Sequence, residues 1–269
     1  MHVNQSLYGV VSLVGAGPGD PELLTLKALK TIQAADVIVY DKLVSQDIQT
    51  QFPAGAEQIC VGKAKGKHSY QQDQINRLLR DYAQRGYRVC RLKGGDALVF
   101  GRGSEEMLYL ARHGIQVNVV PGITAASGCS TYANIPLTHR GLAQGCSFIT
   151  AHAEQSLDVN WQALAQLKQT LVIYMGLSKV RLIQSQLMRY DMDPATPVAI
   201  IENGCTAKQR QFIGQLDGLE NLASKHQLKS PALIVIGKVV TLASQLATLE
   251  QDHLLQFSSP ATQQLSLIA

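Results

Sequence analysis

Short apolar runs alternate with amphipathic stretches along most of the chain, and the two patterns predict different elements. Apolar runs such as 37–40 and 233–236 have the length of buried strands. The stretch 71–85 repeats its apolar residues at helical spacing and stops before Gly86, which favours an amphipathic helix ending at a glycine. Because strands and helices alternate in this way, the sequence predicts an α/β protein with a largely parallel sheet in its first half.

The alternation continues beyond Pro121, where the chain is predicted to cross into a second unit. We predict an N-terminal α/β domain over residues 1–121, a C-terminal α/β domain over 122–248 and a tail over 249–269, where the periodicity weakens. The strands predicted in the second domain span 146–150, 171–175, 198–201, 211–216 (antiparallel) and 233–236.

A glycine-rich loop follows the first predicted strand, at residues 15–20. Asp20 and Pro21 then have the residue types of an N-cap and a first helical position. Glycine lets a backbone approach a ligand closely, but the loop reads GxGxGD where a dinucleotide fingerprint reads GxGxxG. Pro18 also lacks the amide that a pyrophosphate cradle would use. The loop therefore predicts a ligand that is not held through its phosphates.

Composition and charge limit the kinds of molecule that the protein is expected to bind. The chain has 269 residues, 46% of them hydrophobic, which suffices for two cores, and its net charge of +4 comes without a lysine or arginine run. We therefore expect a small anionic substrate and no nucleic acid. No apolar stretch reaches the roughly 20 residues that span a bilayer, so we expect a cytoplasmic protein without a membrane partner. Five scattered cysteines, with no CxxC pair and no HExxH motif, predict neither a disulfide framework nor a metal site.

Three more segments carry small residues where predicted strands end, at 93–96, 121–124 and 174–176. Ligands of α/β proteins bind at the carboxyl ends of strands. One glycine loop alone is typical of an ordinary tight turn, but four such loops in one chain indicate a ligand cleft.

Taken in order, these segments resemble the tetrapyrrole methylases, a family also called class III methyltransferases. The resemblance runs from about residue 9 to 240 and is carried by segments 14–25, 40–44, 91–96, 100–106, 120–126, 135–140, 174–176 and 231–237. It implies two α/β domains with the active-site cleft between them, and a homodimer. The low charged fraction of 16% agrees with a surface that a second copy covers.

The resemblance also implies that the cleft binds S-adenosylmethionine, with S-adenosylhomocysteine as product and no metal. The residues carried over for cofactor binding are Pro18, Gly94, Gly95, Asp96, Thr124, Ala125, Met175, Gly204 and Ala232. Two interpretations of Asp96 stay open. Its carboxylate could accept from the methionine ammonium or a ribose hydroxyl, or it could cap its own loop.

Within the family, segments 100–106 and 137–140 resemble those of enzymes that methylate uroporphyrinogen III at C2 and C7 to give precorrin-2. Such a substrate carries carboxylates, which arginine matches bidentately. The resemblance therefore implies that Arg102, Glu105 and Arg140 bind substrate, and that Arg102, Glu105 and Asp41 are catalytic. A loop with Lys63, Lys65 and Lys67 would attract the substrate or simply be solvated.

Three alternatives stay open. A sibling methylase would act on a later precorrin or on a diphthamide precursor, although segments 101–103 and 138–140 disfavour this. A nucleotide-dependent oxidoreductase is disfavoured because the GxGxxG pattern is missing. A paralogue that only binds tetrapyrrole is the third. The sequence does not distinguish sirohaem, cobalamin or haem d1 as the final product.

Overall fold

The computed structural model describes residues 8–62, 70–152 and 159–258. The predicted basic loop of Lys63, Lys65 and Lys67 lies outside the described residues. The chain forms two compact units, one comprising the residues up to Cys129 with Gly204–Lys208, the other comprising Ser130–Asn203 and the chain from Gln209 onward. The contacts thus divide the chain a few residues beyond the predicted boundary at 121, and a short later segment belongs to the first unit.

The first unit contains a parallel five-stranded sheet in the order β3-β2-β4-β1-β5. Its strands are β1 (Val10–Gly15), β2 (Val37–Tyr40), β3 (Glu57–Cys60), β4 (Val89–Lys93) and β5 (Gln116–Val120). In register, Gly15 pairs with Lys93 and Val14 with Val120, so the carboxyl ends of β1, β4 and β5 lie at one edge. The predicted parallel sheet is confirmed. Strand β3 was not predicted, because it is an edge strand whose side chains are largely exposed.

Helices cover both faces of this sheet, as the continuous burial of its central strands requires, because successive residues of a strand point to opposite faces. They are α1 (Leu26–Gln33), α2 (Gln46–Gln49), α3 (Gln72–Gln84), α4 (Gly103–Arg112) and α5 (Ala125–Tyr132), the last of which enters the second unit. Val11 and Leu13 pack on the face covered by α3 and α4, whereas Val14 packs with Ile32 of α1 and Ile48 of α2.

The start of the first helix differs from the prediction. Asp20 accepts a hydrogen bond from the Glu22 amide at 2.8 Å, but the turn that it caps is a short 3-10 helix, Pro21–Leu23. Helix α1 begins at Leu26, and the Thr25 hydroxyl caps it by accepting from the Ala28 amide at 3.0 Å. Two capping residues within one short segment explain the error, because either could begin a helix.

The second unit contains a mixed sheet in the order β6-β7-β10-β8-β9, in which only β6 and β7 are parallel. Its strands are β6 (Cys146–Thr150), β7 (Thr170–Tyr174), β8 (Pro197–Glu202), β9 (Arg210–Gln215) and β10 (Ala232–Ile236). Its other helices are α6 (Trp161–Gln166), α7 (Val180–Arg189), α8 (Leu219–Lys225) and α9 (Thr241–Ser258). The predicted antiparallel strand over 211–216 is confirmed as β9.

The core of the second unit is apolar. Ile173, Ile200 and Ile234 from its three central strands pack against Ile183 and Leu187 of α7. Helix α9 continues to Ser258, into the range predicted as a tail. In the described ranges no helix has both the length and the apolar character needed to cross a membrane. The prediction of two α/β units is confirmed, whereas a ligand cleft between them stays a prediction.

Candidate functional site

The loops after β1 and β4 are joined by backbone hydrogen bonds. The Gly17 amide donates to the Gly95 carbonyl at 3.0 Å, and the Gly95 amide donates to the Gly17 carbonyl at 2.7 Å. Both glycines have positive φ angles, +73° and +72°, which residues with a Cβ rarely adopt. The two loops therefore form one backbone platform at the carboxyl edge of the sheet.

A second set of glycines holds the loop after β5 against this platform. A Cβ added at Gly122 would contact the Gly95 carbonyl oxygen and lie 2.7 Å from the Gly15 Cα atom. A Cβ added at Gly15 would lie 2.6 Å from the Gly122 amide nitrogen. At Gly15 and Gly122, glycine is thus required because backbone packs on backbone, and not only for access to a ligand as the sequence suggested.

The Asp96 carboxylate caps its own loop. Its Oδ1 atom accepts from the Leu98 and Val99 amides at 2.9 and 3.3 Å, and its Oδ2 atom accepts from the Gly122 amide at 3.0 Å. Of the two interpretations left open, capping is therefore found in the structure. A contact between Asp96 and a ligand stays a prediction.

Most residues predicted to bind the cofactor lie together in the first unit. A Cβ on Gly95 would point at the Ala125 amide, 3.6 Å away, and at the Thr124 Cα, 3.9 Å away. A Cβ on Gly128 would lie 2.5 Å from Pro18 Cγ, and one on Gly204 would lie 2.7 Å from the Cβ of the next helical residue, Cys129. Helix α5 thus connects Pro18 and Gly204 to the platform.

The two other predicted cofactor residues belong to the second unit. Tyr174 at the end of β7 pairs in register with Leu233 of β10, so Met175 and Ala232 lie at the same sheet edge. Met175 has a φ of +54° and is half exposed. The second unit therefore brings Met175 and Ala232 together at one sheet edge, and the first unit brings together the other residues predicted to bind the cofactor.

Four charged residues form a cluster beneath the first-unit platform, which we call the charge cluster: Asp41, Arg91, Lys93 and Glu106. Arg91 donates to Asp41 Oδ1 at 2.6 Å and to Glu106 Oε1 at 3.1 Å. Lys93 donates to the same Glu106 oxygen at 3.0 Å. The side chains of Arg91, Lys93 and Glu106 are buried, whereas that of Asp41 is 30% exposed. One member of the cluster thus reaches the surface.

The charges in this cluster change the proton affinity of its cations. Burial lowers the pKa of Lys93, and the neighbouring Arg91 charge lowers it further against the opposing effect of the two carboxylates. Burial also acts to lower the pKa of Arg91, but the charges of Glu106 and Asp41 outweigh it and leave that pKa raised. Perturbed buried groups of this kind are frequent at functional sites.

The sequence did not identify Arg91, Lys93 and Glu106 as site residues. A signal was present in β4, because residues two apart in a strand face the same side. Arg91 and Lys93 therefore share a face of an otherwise apolar strand in the middle of a parallel sheet. That pattern calls for an acidic partner, and the sequence alone did not identify Glu106 in α4 as this partner.

Arg102 and Glu105 form an exposed pair at the start of α4. Arg102 Nε and Nη2 donate to the two Glu105 carboxylate oxygens, each at 2.8 Å, with side-chain exposures of 47% and 51%. The hydrogen bond from Arg102 lowers the pKa of Glu105. Arg102 has a left-handed φ of +56°, which fixes the direction in which its side chain leaves the chain. The same helix therefore presents Arg102 and Glu105 outward and Glu106 to the charge cluster.

Arg140, the other predicted substrate arginine, is exposed and belongs to the second unit. It follows His139, which exchanges backbone hydrogen bonds with Ala143 across a short turn. In the part of the chain that the structure describes, no group of three or more His, Cys, Asp or Glu side chains could hold a metal ion.

The sequence matches the family Tetrapyrrole (Corrin/Porphyrin) Methylases over residues 10–220. This range includes both sheets apart from β10 and every predicted site residue apart from Ala232. The chain belongs to the tetrapyrrole methylase family. The resemblance seen in the sequence is therefore confirmed.

Named relatives and solved structures agree with this membership. Siroheme synthase 2 of Pectobacterium atrosepticum is 54% identical over 239 residues, 89% of this chain and 52% of that protein. Siroheme synthase of Psychromonas ingrahamii is 52% identical over 246 residues, 91% of this chain and 52% of that protein. The chain thus spans about half the length of these relatives.

Among solved structures, uroporphyrin-III C-methyltransferase of Thermus thermophilus, in complex with S-adenyl homocysteine, is 40% identical with a TM-score of 0.76. The match covers 87% of this chain and 100% of that one. The cobalt precorrin-4 methyltransferase CbiF matches with a TM-score of 0.77 at 26% identity, over 86% of this chain and 95% of that one.

Proposed function

We propose that this tetrapyrrole methylase transfers methyl groups from S-adenosylmethionine to C2 and C7 of uroporphyrinogen III, giving precorrin-2. The observation that carries the proposal is the match to the Thermus thermophilus enzyme, which covers all of that chain at 40% identity. The precorrin-4 methyltransferase is as similar in fold but only 26% identical. Siroheme synthase relatives support sirohaem as the product that this reaction serves.

The first-unit residues fit a zwitterionic ligand such as S-adenosylmethionine. Pro18, Gly94, Gly95, Thr124, Ala125 and Gly204 present main-chain groups and small side chains, without a cationic phosphate site. The amides that bond Asp96 orient its carboxylate, which retains lone pairs for an ammonium or hydroxyl. Met175 and Ala232 would complete the set from the second unit. When bound, the cofactor supplies an electrophilic sulfonium methyl group.

The chain's own residues then have three tasks. Arg102 and Arg140 bind substrate carboxylates through their planar guanidinium groups. Glu105, held by both arms of Arg102, orients that arginine or accepts from a pyrrole N–H. Asp41, the exposed end of the charge cluster, accepts the proton that the pyrrole loses after methylation. Alignment of the two reactants can lower the activation barrier by about 7–11 kcal/mol, which makes it the main source of the rate enhancement.

The reaction itself is the first test. Purified protein incubated with uroporphyrinogen III and S-adenosylmethionine should add two methyl groups, detected by mass spectrometry of the tetrapyrrole. Parallel incubations with later precorrins should give no methylation. Methylation of a later precorrin alone would contradict the proposed substrate, and tight binding of a nicotinamide dinucleotide in a calorimetric titration would contradict the whole assignment.

Variants separate the substrate residues from the cofactor residues. Arg102→Ala and Arg140→Ala should each lose about 2–5 kcal/mol of transition-state binding while the affinity for S-adenosylhomocysteine changes by less than about twofold. Asp96→Ala should weaken S-adenosylhomocysteine first. Arg112→Ala, at the far end of α4, is the matched control and should change neither quantity. Loss of cofactor binding in Arg140→Ala with normal tetrapyrrole binding would contradict this division.

We also propose that the protein is a homodimer. Exposed apolar side chains such as Leu98, Phe100 and Leu108 on or near α4 would gain from being covered. Light scattering at micromolar concentration should give twice the 29.2 kDa of one chain. The mass of a single chain would count against the proposal.

A further inference from the structure

The charge cluster connects the interior of the first unit to a single surface carboxylate. At its inner end, Glu106 Oε1 accepts three hydrogen bonds, from Arg91 at 3.1 Å, Lys93 at 3.0 Å and Gln72 Nε2 at 3.1 Å. At its outer end stands Asp41, whose Oδ1 atom is held by Arg91 at 2.6 Å. Strand β4 and helices α3 and α4 thus all contribute to the support of one carboxylate, that of Asp41, which follows β2.

The two oxygens of Asp41 differ in their surroundings. Oδ1 takes a short charge-assisted hydrogen bond, whereas Oδ2 lies 3.8 Å from Lys93 Nζ, beyond hydrogen-bond distance. Within residues 8–62, 70–152 and 159–258, Oδ2 accepts no hydrogen bond. Arg91 therefore fixes the carboxylate through one oxygen, and the ammonium of Lys93 attracts the other without occupying its lone pairs. Oδ2 retains the capacity to accept a proton from a ligand.

Stability alone is a poor reason for this arrangement. The free energy of desolvating a buried ion pair is about as large as the attraction between its charges. Apolar residues of similar volume therefore often stabilise a protein more. Lys93 is 3% exposed and Glu106 is fully buried, so both carry that cost. Glu106 Oε2 is also buried without a hydrogen-bond partner among the described residues, which adds to the cost. A functional reason for keeping the charges is therefore needed.

We propose that Lys93 and Glu106 are positioning residues that act through Asp41, an inference that rests on the proposed function. Glu106 holds the Lys93 ammonium, and Lys93 holds Oδ2 of Asp41 in the direction from which it takes the substrate proton. Neither residue touches the substrate. Removing Lys93 leaves Asp41 held at Oδ1 alone, so that Oδ2 turns away from the reacting position.

A double-mutant cycle on turnover tests this coupling. Lys93→Met keeps the length of the side chain and removes its charge. It should lower kcat about 10²-fold, the cost typical of a small misplacement, while the KM for uroporphyrinogen III and the affinity for S-adenosylhomocysteine change less than about threefold. In an Asp41→Asn background, the same Lys93→Met change should lower kcat by less than about threefold, because there is no carboxylate left to position. A merely structural role predicts equal losses in both backgrounds.

A neutral double variant excludes loss of folding as the cause. Lys93→Met with Glu106→Gln removes one charge of each sign, so that Arg91 and Asp41 remain as a balanced pair. It should fold and bind S-adenosylhomocysteine normally, yet keep kcat at least about tenfold below the wild type. Recovery of wild-type kcat would overturn the inference. If Asp41→Asn shows no turnover, so that the double-mutant cycle cannot be measured, the kcat of this double variant decides between the positioning role and a structural one. Lys30→Met, at an exposed position of α1, is the control and should turn over normally.

The two proposals fail in different ways. A wild-type protein that does not methylate uroporphyrinogen III overturns the proposed function and this inference with it. A wild-type protein that does methylate, combined with equal effects of Lys93→Met in both backgrounds, overturns this inference alone.

Discussion

The two sheets of this protein differ in how many charged side chains are buried within them. In the first, the strand β4 carries Arg91 and Lys93 into the interior, where Glu106 meets them. In the second, the central strands β7, β8 and β10 are almost entirely apolar, and their only buried charged residue in the described chain is Glu202 at the end of β8. Both sheets have five strands, so size does not explain the difference.

The difference follows the position of the candidate site. The buried charges of the first unit lie directly beneath the glycine platform and end at Asp41, where substrate chemistry is proposed. From the second unit the proposed function needs only backbone positions such as that of Met175 and a surface arginine, which require a rigid support but no interior charge. Polar burial is therefore concentrated where one side chain must be held in place, and the apolar sheet is a scaffold.

The largest effect should come from the apolar core of the second unit. Ile234→Ala removes a fully buried side chain from a central strand and should lower the free energy of unfolding by about 4 kcal/mol. Ile213→Ala, on the edge strand β9 and 38% exposed, is the matched control and should cost less than about 1 kcal/mol. Equal losses in urea unfolding would mean that this sheet is not a close-packed scaffold.

A smaller loss is expected at the platform of the first unit, where backbone packing replaces side-chain packing. Gly122→Ala places a Cβ against Gly15 and Gly95 and should cost about 3 kcal/mol, with a weaker affinity for S-adenosylhomocysteine. At Gly55, a Cβ meets nothing within 4 Å, so Gly55→Ala should leave both quantities unchanged. Thermal unfolding and calorimetry measure them. Normal ligand binding by a folded Gly122→Ala protein would separate the platform from the cofactor site.

Glu202, the buried carboxylate at the end of β8, should affect the free energy of unfolding in acid. Arg210 holds one of its oxygens at 2.5 Å and the Lys229 amide holds the other at 2.6 Å, and the bond from Arg210 is the main reason that its pKa lies below the ordinary 4.5. Its contribution is therefore present above pH 4.5 and is lost as pH falls through the lowered pKa. Glu202→Gln should cost about 1 kcal/mol at neutral pH and nothing in strong acid. Urea unfolding at several pH values measures the difference in stability between the wild type and Glu202→Gln. A difference that stays constant from neutral pH to strong acid would contradict the assignment.

The smallest effect concerns a surface hydrogen bond of the first unit. Tyr82 donates to Glu57 at 2.5 Å, and this bond raises its pKa to about 12 from 10.0. The folded state holds the proton more tightly, so the contribution to stability is present below pH 10.0 and is lost as pH rises toward about 12. Tyr82→Phe and Glu57→Gln should each remove that part of the alkaline pH dependence of unfolding. If the alkaline pH dependence of unfolding were the same in both variants as in the wild type, the assignment to the Tyr82–Glu57 hydrogen bond would be contradicted.

Most of the secondary structure and the family could be predicted from local features of the sequence. Apolar runs and helical periodicity are local patterns, and they predicted nine of the ten strands of the described residues, the parallel character of the first sheet and the antiparallel β9. They failed at β3, whose exposed edge position removes the apolar run that identifies a strand, and at the start of α1, where Asp20 and Thr25 are both suitable caps. The family was predicted because the ordered segments between residues 14 and 237 resemble those of the tetrapyrrole methylases.

The contacts that those segments make depend on parts of the chain that are distant in sequence. That Asp96 caps its own loop became visible only when the loop after β5 placed the Gly122 amide against it, and its contact with a ligand stays a prediction. The charge cluster joins Arg91 to Asp41, 50 residues away in the chain, and to Glu106, 15 residues away. Partners at such separations leave no periodic trace in a single sequence. Whether a buried charge is paired, or a glycine is needed, depends on which distant backbone folds against it.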